Sequence, residues 1–265
     1  MLVRLTALVL CAIAMPSWSE DGFGGSVDAT SDYVFRGISL SHGEPSLQAD
    51  FHYSTPRGFS AGVWASSVEL NSRDGRTVEF DAYVGFRRPL SLDWTAKFNF
   101  VHYAYPFNAA GSDYDYNELA GSLSFRDILS FTAAWSFDAS NYYTAADPHS
   151  RDSFSFEETL AIPLPGALVA TFGAGYYELH AVPLAHYKYW NVGVGYDWRA
   201  WHLDVNFIGT SSEARQLFYS HWMPAMNGTT GTTRMPAQGM AMQNNQMFYN
   251  HVTGNRLAVT LLWRF

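Results

Sequence analysis

The sequence predicts an all-β protein: a single antiparallel transmembrane β-barrel of about twelve strands, with short periplasmic turns and long extracellular loops. Three observations predict it. Apolar and polar residues alternate with period two along almost the whole chain after residue 20. No apolar run beyond the first residues is long enough for a membrane helix, so strands are the remaining way to cross a bilayer. The chain also ends on an alternating strand that stops at an aromatic residue, Phe265.

The first residues have the pattern of an export signal. Arg4 is the positive start, Leu5 to Met15 is apolar, and Ser17-Trp18-Ser19 places small residues around a cleavable bond. Residues 1–19 are therefore expected to be removed, leaving one barrel domain over 20–265 with a long methionine-rich loop at about 212–252. The apolar run is shorter than the ~20 residues a spanning helix needs. Leu10 also stands where lipoprotein processing at Cys11 would want a small residue. Cleavage takes away the single cysteine, so no disulfide or thiolate metal site is expected.

Composition agrees with a lipid-facing surface. Charged residues make up 15% of the chain and aromatics 17%, against the roughly 25% charged residues of ordinary soluble domains. So few charges would leave a water-facing surface poorly covered. The formal charge of −8 excludes nucleic acid as a partner, because phosphate binding needs a basic surface.

Taken in order, the strands are expected near 24–35, 46–55, 58–69, 76–87, 91–103, 114–126, 128–139, 152–163, 166–178, 186–199, 201–211 and 253–265. Trp190, Val192, Val194, Tyr196 and Trp198 oppose Asn191, Gly193, Gly195 and Asp197. Val78, Phe80, Ala82, Val84 and Phe86 likewise oppose Thr77, Glu79, Asp81, Tyr83 and Gly85, and Leu129 to Phe137 alternates in the same way. In 58–69 the outer face is ambiguous, and in 152–163 Glu158 shares the parity of Phe154, Phe156 and Leu160. Tight connections at Thr55–Gly58, Arg87–Ser91, Arg126-Asp127, Pro163–Gly166 and Trp198–Trp201 alternate with longer ones around Arg36–Pro45, Asn71–Gly75, Tyr105–Asp113, Asn141–Arg151, Leu179–Ala185 and Ser212–Val252. This alternation places both termini on the periplasmic side and makes the strand count even.

In the last strand, Leu257, Val259, Leu261, Trp263 and Phe265 face away from Arg256, Ala258, Thr260, Leu262 and Arg264. Leu261, Trp263 and Phe265 resemble the terminal signature read by the barrel-assembly machinery. That resemblance implies this machinery, periplasmic chaperones and outer-membrane lipids as partners. Near the other end, Ser31-Asp32-Tyr33-Val34-Phe35-Arg36-Gly37-Ile38-Ser39 is followed by Pro45, Gln48 and Tyr53, by Gly58–Ser66, and by Glu79-Phe80-Asp81. These blocks resemble the TorF family of proteobacterial porins. The likeness is close over the N-terminal third and general elsewhere, and it implies an outer-membrane, pore-like protein without supplying a substrate.

Catalysis is not expected. Gly58-Phe59-Ser60-Ala61-Gly62 matches the G-x-S-x-G elbow in letters, but it lies within a strand with no helix after it. His102 is the one candidate base with outward parity, and a lone histidine at a barrel rim is ordinarily an interfacial polar residue.

Parity directs Asp28, Asp32, Asp50, Glu79, Asp81, Asp93, Glu118, Asp138, Glu157, Asp197 and Asp204 into the lumen, against Lys97, Arg256 and Arg264. An acidic lumen attracts cations and repels anions. Glu79 and Asp81 opposed by Lys97 are the expected constriction. Twelve-stranded channels for acidic oligosaccharides line their lumens with Arg and Lys, which are scarce here. The expected function is passive diffusion of small cationic or neutral solutes, with no cofactor and with the oligomeric state left open. The alternative is a closed surface or structural barrel that binds copper through His221, Met223, Met226, Met240, Met242 and His251, since thioethers suit Cu(I). Against copper stand the irregular spacing, the lack of cysteine and the use of methionine as flexible apolar filler, so no metal site is expected.

Overall fold

The computed structural model describes residues 21–70, 75–107, 114–139, 151–179, 186–214 and 253–265. In chain order the strands are β1 (Gly22–Thr30), β2 (Val34–Phe35), β3 (Ile38–Ser39), β4 (Ser46–Ser54), β5 (Phe59–Val68), β6 (Thr77–Pro89) and β7 (Trp94–Ala104). They continue as β8 (Tyr116–Phe125), β9 (Leu129–Ala139), β10 (Arg151–Leu164), β11 (Leu168–Leu179), β12 (His186–Trp198), β13 (Trp201–Thr210) and β14 (Arg256–Arg264). β1 and β4 to β14 form one closed antiparallel barrel of twelve strands, each paired with its neighbour in sequence. β2 and β3 form a separate two-stranded hairpin.

Closure is made by β1 against β14, with Ser26 opposite Arg264 and Thr30 opposite Thr260. Gly25 and Phe265 extend the ladder by exchanging two backbone hydrogen bonds of 3.1 Å. No barrel strand is left with an open edge, which is the condition for a sheet in hydrocarbon.

Side chains follow the pleat. Trp190, Val192, Val194, Tyr196 and Trp198 are exposed on the outside, whereas Asn191 is buried within. In β5, Trp64, Ser66 and Val68 point inward and Phe59 and Val63 outward, which resolves the ambiguity of that segment. In β10, Glu157 is buried and Glu158 exposed. Aromatic pairs ring the tight-turn end: Phe59 with Phe86, Trp94 with Phe125, and Trp263 with both Trp201 and Phe265. Trp135 with Phe154 and Trp190 with Phe207 lie toward the other end. The tight turns need unusual backbone conformations. Arg126 and Asp127 both have positive φ and close a two-residue turn, with Ile128 N–H donating to the Phe125 carbonyl at 2.9 Å.

Three boundaries depart from expectation. The first strand ends at Thr30 and not near 35, because Thr30 Oγ1 donates to the Asp32 carbonyl and the chain turns into the barrel. The fifth barrel strand begins at Trp94, since the N–H groups of Leu90 and Ser91 both bond to the Trp94 carbonyl in the preceding turn. The last strand begins at Arg256, not 253. Between β9 and β10 the register slips by one residue, leaving a bulge beside Phe137 and Asp138.

Closure leaves no room for a side chain at Gly25. A Cβ there would run into the Asp50 carbonyl oxygen and stand 2.7 Å from the Phe265 ring. Gly25→Val is expected to lower stability by about 1–3 kcal/mol, read as an earlier midpoint in urea unfolding of the refolded barrel.

Candidate functional site

The β2–β3 hairpin lies inside the barrel, and Asp32 places it there. One carboxylate oxygen of Asp32 accepts from Ser39 Oγ at 2.5 Å and from Ser41 Oγ at 3.1 Å, and the other from Arg256 Nη1 at 2.9 Å. Tyr33 N–H donates to Ser41 Oγ, and Leu40 N–H to the Tyr33 carbonyl, which closes the base of the hairpin. Its tip is Arg36-Gly37, both with positive φ, the backbone of a two-residue hairpin turn. Gly37 packs so closely on the wall that a Cβ would lie 2.5 Å from Tyr189 Cβ and 2.6 Å from Thr210 Cγ2. Ile38 and Leu40 join Trp64, Val68, Tyr83, Val101 and Tyr103 in one buried cluster, and Val34 packs with Ile208 and Ala258.

The tip carries Arg36 into the wall, where it is 1% exposed. Its Nη1 and Nη2 donate to the two carboxylate oxygens of Glu118 at 2.8 and 2.9 Å. Nε stands 3.5 Å from Glu157 Oε1. The guanidinium also lies over two rings, 4.7 Å from the Phe35 centroid and 5.2 Å from that of Tyr177. Both carboxylates have further donors: Ser136 Oγ at 2.9 Å and Tyr103 Oη at 3.4 Å for Glu118, and Tyr189 Oη at 2.5 Å for Glu157. A planar fork matched to a carboxylate is the strongest of the charge-assisted arrangements. Buried as this one is, removing either charged partner is costly.

Glu79 and Asp81 lie on β6 near the same end, each 1% exposed. Tyr105 Oη donates to Glu79 at 2.7 Å, while Asp81 stands opposite Trp64 and Tyr103 in the ladder. Among the described residues, Glu79 Oε2, Asp81 Oδ1 and Trp64 Nε1 are buried without a hydrogen-bond partner. Toward the tight-turn end the interior is polar. Asp50 is within 2.5 Å of His52 Nδ1 and accepts from Tyr83 Oη at 2.7 Å. Asp197 is 2.9 Å from His202 Nδ1 and 3.4 Å from Arg264. Asn206 bonds to both Asp204 and Asn191. Asp28 is buried as well.

One expected pairing and two expected lumen positions are corrected. Lys97 does not oppose Asp81. The register pairs Lys97 with Arg87 and Asp81 with Tyr103, and six residues of strand separate Arg87 from Asp81, roughly 20 Å. Asp93 is outside the lumen altogether, in the turn before β7, bonded to Arg126 at 2.7 Å with 44% of its side chain exposed. Asp138 sits at the bulge, where its carboxylate takes the Asn117 backbone N–H at 2.6 Å and side-chain amide at 2.5 Å. His102 has its Nδ1 3.0 Å from that same Asn117 side chain, and Ser60 is buried on the inner face of β5. Leu261, Trp263 and Phe265 face outward and are exposed. The candidate ligands His221, Met223, Met226, Met240, Met242 and His251 lie outside the described residues.

Arg36, the centre of this buried cluster, is not marked out by strand parity. Its signal was present: two short alternating stretches flank Arg36-Gly37, a two-residue hairpin pattern, with Asp32, Ser39 and Ser41 ready to tie the base.

The chain is thus a closed twelve-stranded barrel whose first loop folds inward. Residues 16–232 match the model of a family described as a bacterial protein of unknown function (Gcw_chp), and the chain belongs to that family. No curated protein matches it. Among solved structures it is similar to the KdgM porin, at 9% identity over 91% of this chain and 99% of that one, with a TM-score of 0.51. It is also similar to the NanC porin, at 9% identity over 90% and 98% of the two chains, with a TM-score of 0.54. At this identity the likeness is one of fold.

Two ion pairs of very different burial test this geometry. Glu118→Ala removes both short bonds of the buried Arg36, leaving only the 3.5 Å contact with Glu157, and is expected to cost about 3–5 kcal/mol. Asp93→Ala breaks only an exposed pair and is expected to cost at most about 1 kcal/mol. Urea midpoints of the two variants, measured side by side, give the comparison.

Proposed function

We propose that the protein is exported, loses residues 1–19, and works in the outer membrane as a small passive channel whose outer half is closed by the β2–β3 hairpin. The observation that carries this reading is the character of the interior. Below the hairpin the wall is built from Ser54, Ser60, Thr159, Thr171, Asn191 and Asn206, with Gly173, Gly193 and Gly195 among them. A barrel serving only as an anchor gains stability by filling its interior with large apolar side chains. These side chains are short and polar but buried with the hairpin in place, so passage of small hydrated solutes is proposed for the barrel with its hairpin displaced. The resemblance of the N-terminal third to the TorF family supports the same reading, as does the aromatic girdle for a position in lipid.

Selection in such a channel rests on charge. Arg36 offsets Glu118 and Glu157, and Arg256 offsets Asp32. Asp28, Asp50, Glu79, Asp81 and Asp204 keep the interior acidic, which favours cations and neutral solutes over anions. The barrel-assembly machinery and periplasmic chaperones are the partners proposed for its insertion.

The second reading, a permanently closed surface barrel, draws on the completeness with which the hairpin is packed. Planar-bilayer recording separates the two. The wild-type barrel is expected to show small or infrequent conductance steps. Arg36→Ala, with its hairpin unlatched, is expected to show steps about severalfold larger with cation-selective reversal potentials. If both proteins insert and stay silent, the channel reading fails and the closed barrel takes its place.

A further inference from the structure

The groups that hold Arg36 belong to the barrel wall, not to the hairpin that carries it. Glu118 is on β8 and Glu157 on β10, and their hydroxyl donors Tyr103, Ser136 and Tyr189 are on β7, β9 and β12. Glu118 and Ser136 are direct ladder partners. Tyr177, whose ring covers the guanidinium, is on β11 and donates or accepts a hydrogen bond with Ser153 of β10 at 3.1 Å. The cage is thus shaped by consecutive wall strands whose ladders do not involve the hairpin. The hairpin is anchored separately, through Asp32 to Arg256 and through Ser39 and Ser41. Site and occupant are distinct parts of the fold.

The chemistry of the cage is specific. Glu118 receives two parallel N–H bonds, which a planar guanidinium supplies and a compact ammonium does not. Glu157 stands beside the third nitrogen, and the Tyr177 face favours a flat, weakly hydrated cation. Emptied of Arg36, the cage would hold two buried carboxylates with no counter-charge, a costly state that a matching cation relieves.

We infer that Glu118, Glu157 and Tyr177 form a binding site for guanidinium-bearing solutes, which the chain occupies itself with Arg36. Such a solute takes the same seat when the hairpin leaves, so Arg36 acts as a tethered occupant of the channel's own site. The inference rests on the channel reading for the solute's route, and it names the solute class. Tethering gives Arg36 an effective concentration of millimolar or more, so a free solute displaces it only at high concentration. Removing Arg36 abolishes that competition.

The test is calorimetric titration of the intact Arg36→Ala barrel in detergent with methylguanidinium and, separately, with methylammonium. Methylguanidinium is expected to bind at least about tenfold more tightly than methylammonium, because only it matches the carboxylate fork. The wild-type barrel is expected to bind it more weakly than the variant does. Adding Glu118→Gln to Arg36→Ala is expected to remove the preference. Should Arg36→Ala not refold, Arg36→Gln replaces it in the same titration. Titration with L-arginine and with an arginine tripeptide then distinguishes a free amino acid from a peptide as the source of the group. Equal binding of the two small cations, or a preference that survives Glu118→Gln, overturns the proposal. Calorimetry reads binding whether or not the barrel conducts, so a silent bilayer bears on the channel alone and non-selective binding on the cage alone.

Discussion

The ladder between β1 and β14 is the constraint from which the rest of the molecule follows. In a bilayer each unpaired backbone N–H or C=O costs several kcal/mol, so a sheet crosses only when its first and last strands find each other. Here Ser26 to Thr30 run against Thr260 to Arg264, and Phe265 and Gly25 complete the seam. An antiparallel closure of this kind brings the two ends of the barrel chain to one rim. It places the tight turns at that rim and the long connections at the other. It also converts a two-residue period in the sequence into an outside and an inside.

Closing twelve strands creates an interior that side chains from the wall alone fill unevenly. At the tight-turn end the filling is polar: Asp50 contacts His52 and Tyr83, Asp197 contacts His202, and Asn206 contacts Asp204. At the other end the chain supplies its own stopper, the hairpin from Tyr33 to Ser41. Charge balance explains its tip. Glu118 and Glu157 are both buried, and Arg36 reaches both at once. Arg256 does the same for Asp32 at the hairpin base. The acidic character seen along the strands is therefore partly offset from within, by a residue that is not on a barrel strand.

What was legible in the sequence was whatever depends on local geometry. The outward stripe from Trp190 to Trp198 follows from the pleat alone. So do the inward orientation of Glu79 and Asp81 and the need for a turn at Arg126-Asp127. Depth was not legible. Whether Lys97 meets Asp81 depends on the register between β6 and β7, which the turn at 90–93 sets, and it meets Arg87 instead. Asp138 was misread because a bulge interrupts parity where the strand leaves the barrel. Asp93 was misread because the turn runs a few residues farther than its composition suggested.

Arg36 marks the boundary between the two kinds of information. Its own segment, read locally, continues the alternation of β1 through Tyr33 and Phe35; the local bonds of Asp32 with Thr30, Ser39 and Ser41 fold the hairpin but do not say what its tip meets. The partner its tip meets, Glu118, is 82 residues away. The sequence by itself determined an all-β barrel with an apolar exterior and an acidic interior, because a side chain's face is a property of its own strand. Only the tertiary structure decided which acids share a depth, which are neutralised, and that the first loop folds into the lumen. Those outcomes depend on register and closure, and both are settled by strands far apart in the chain.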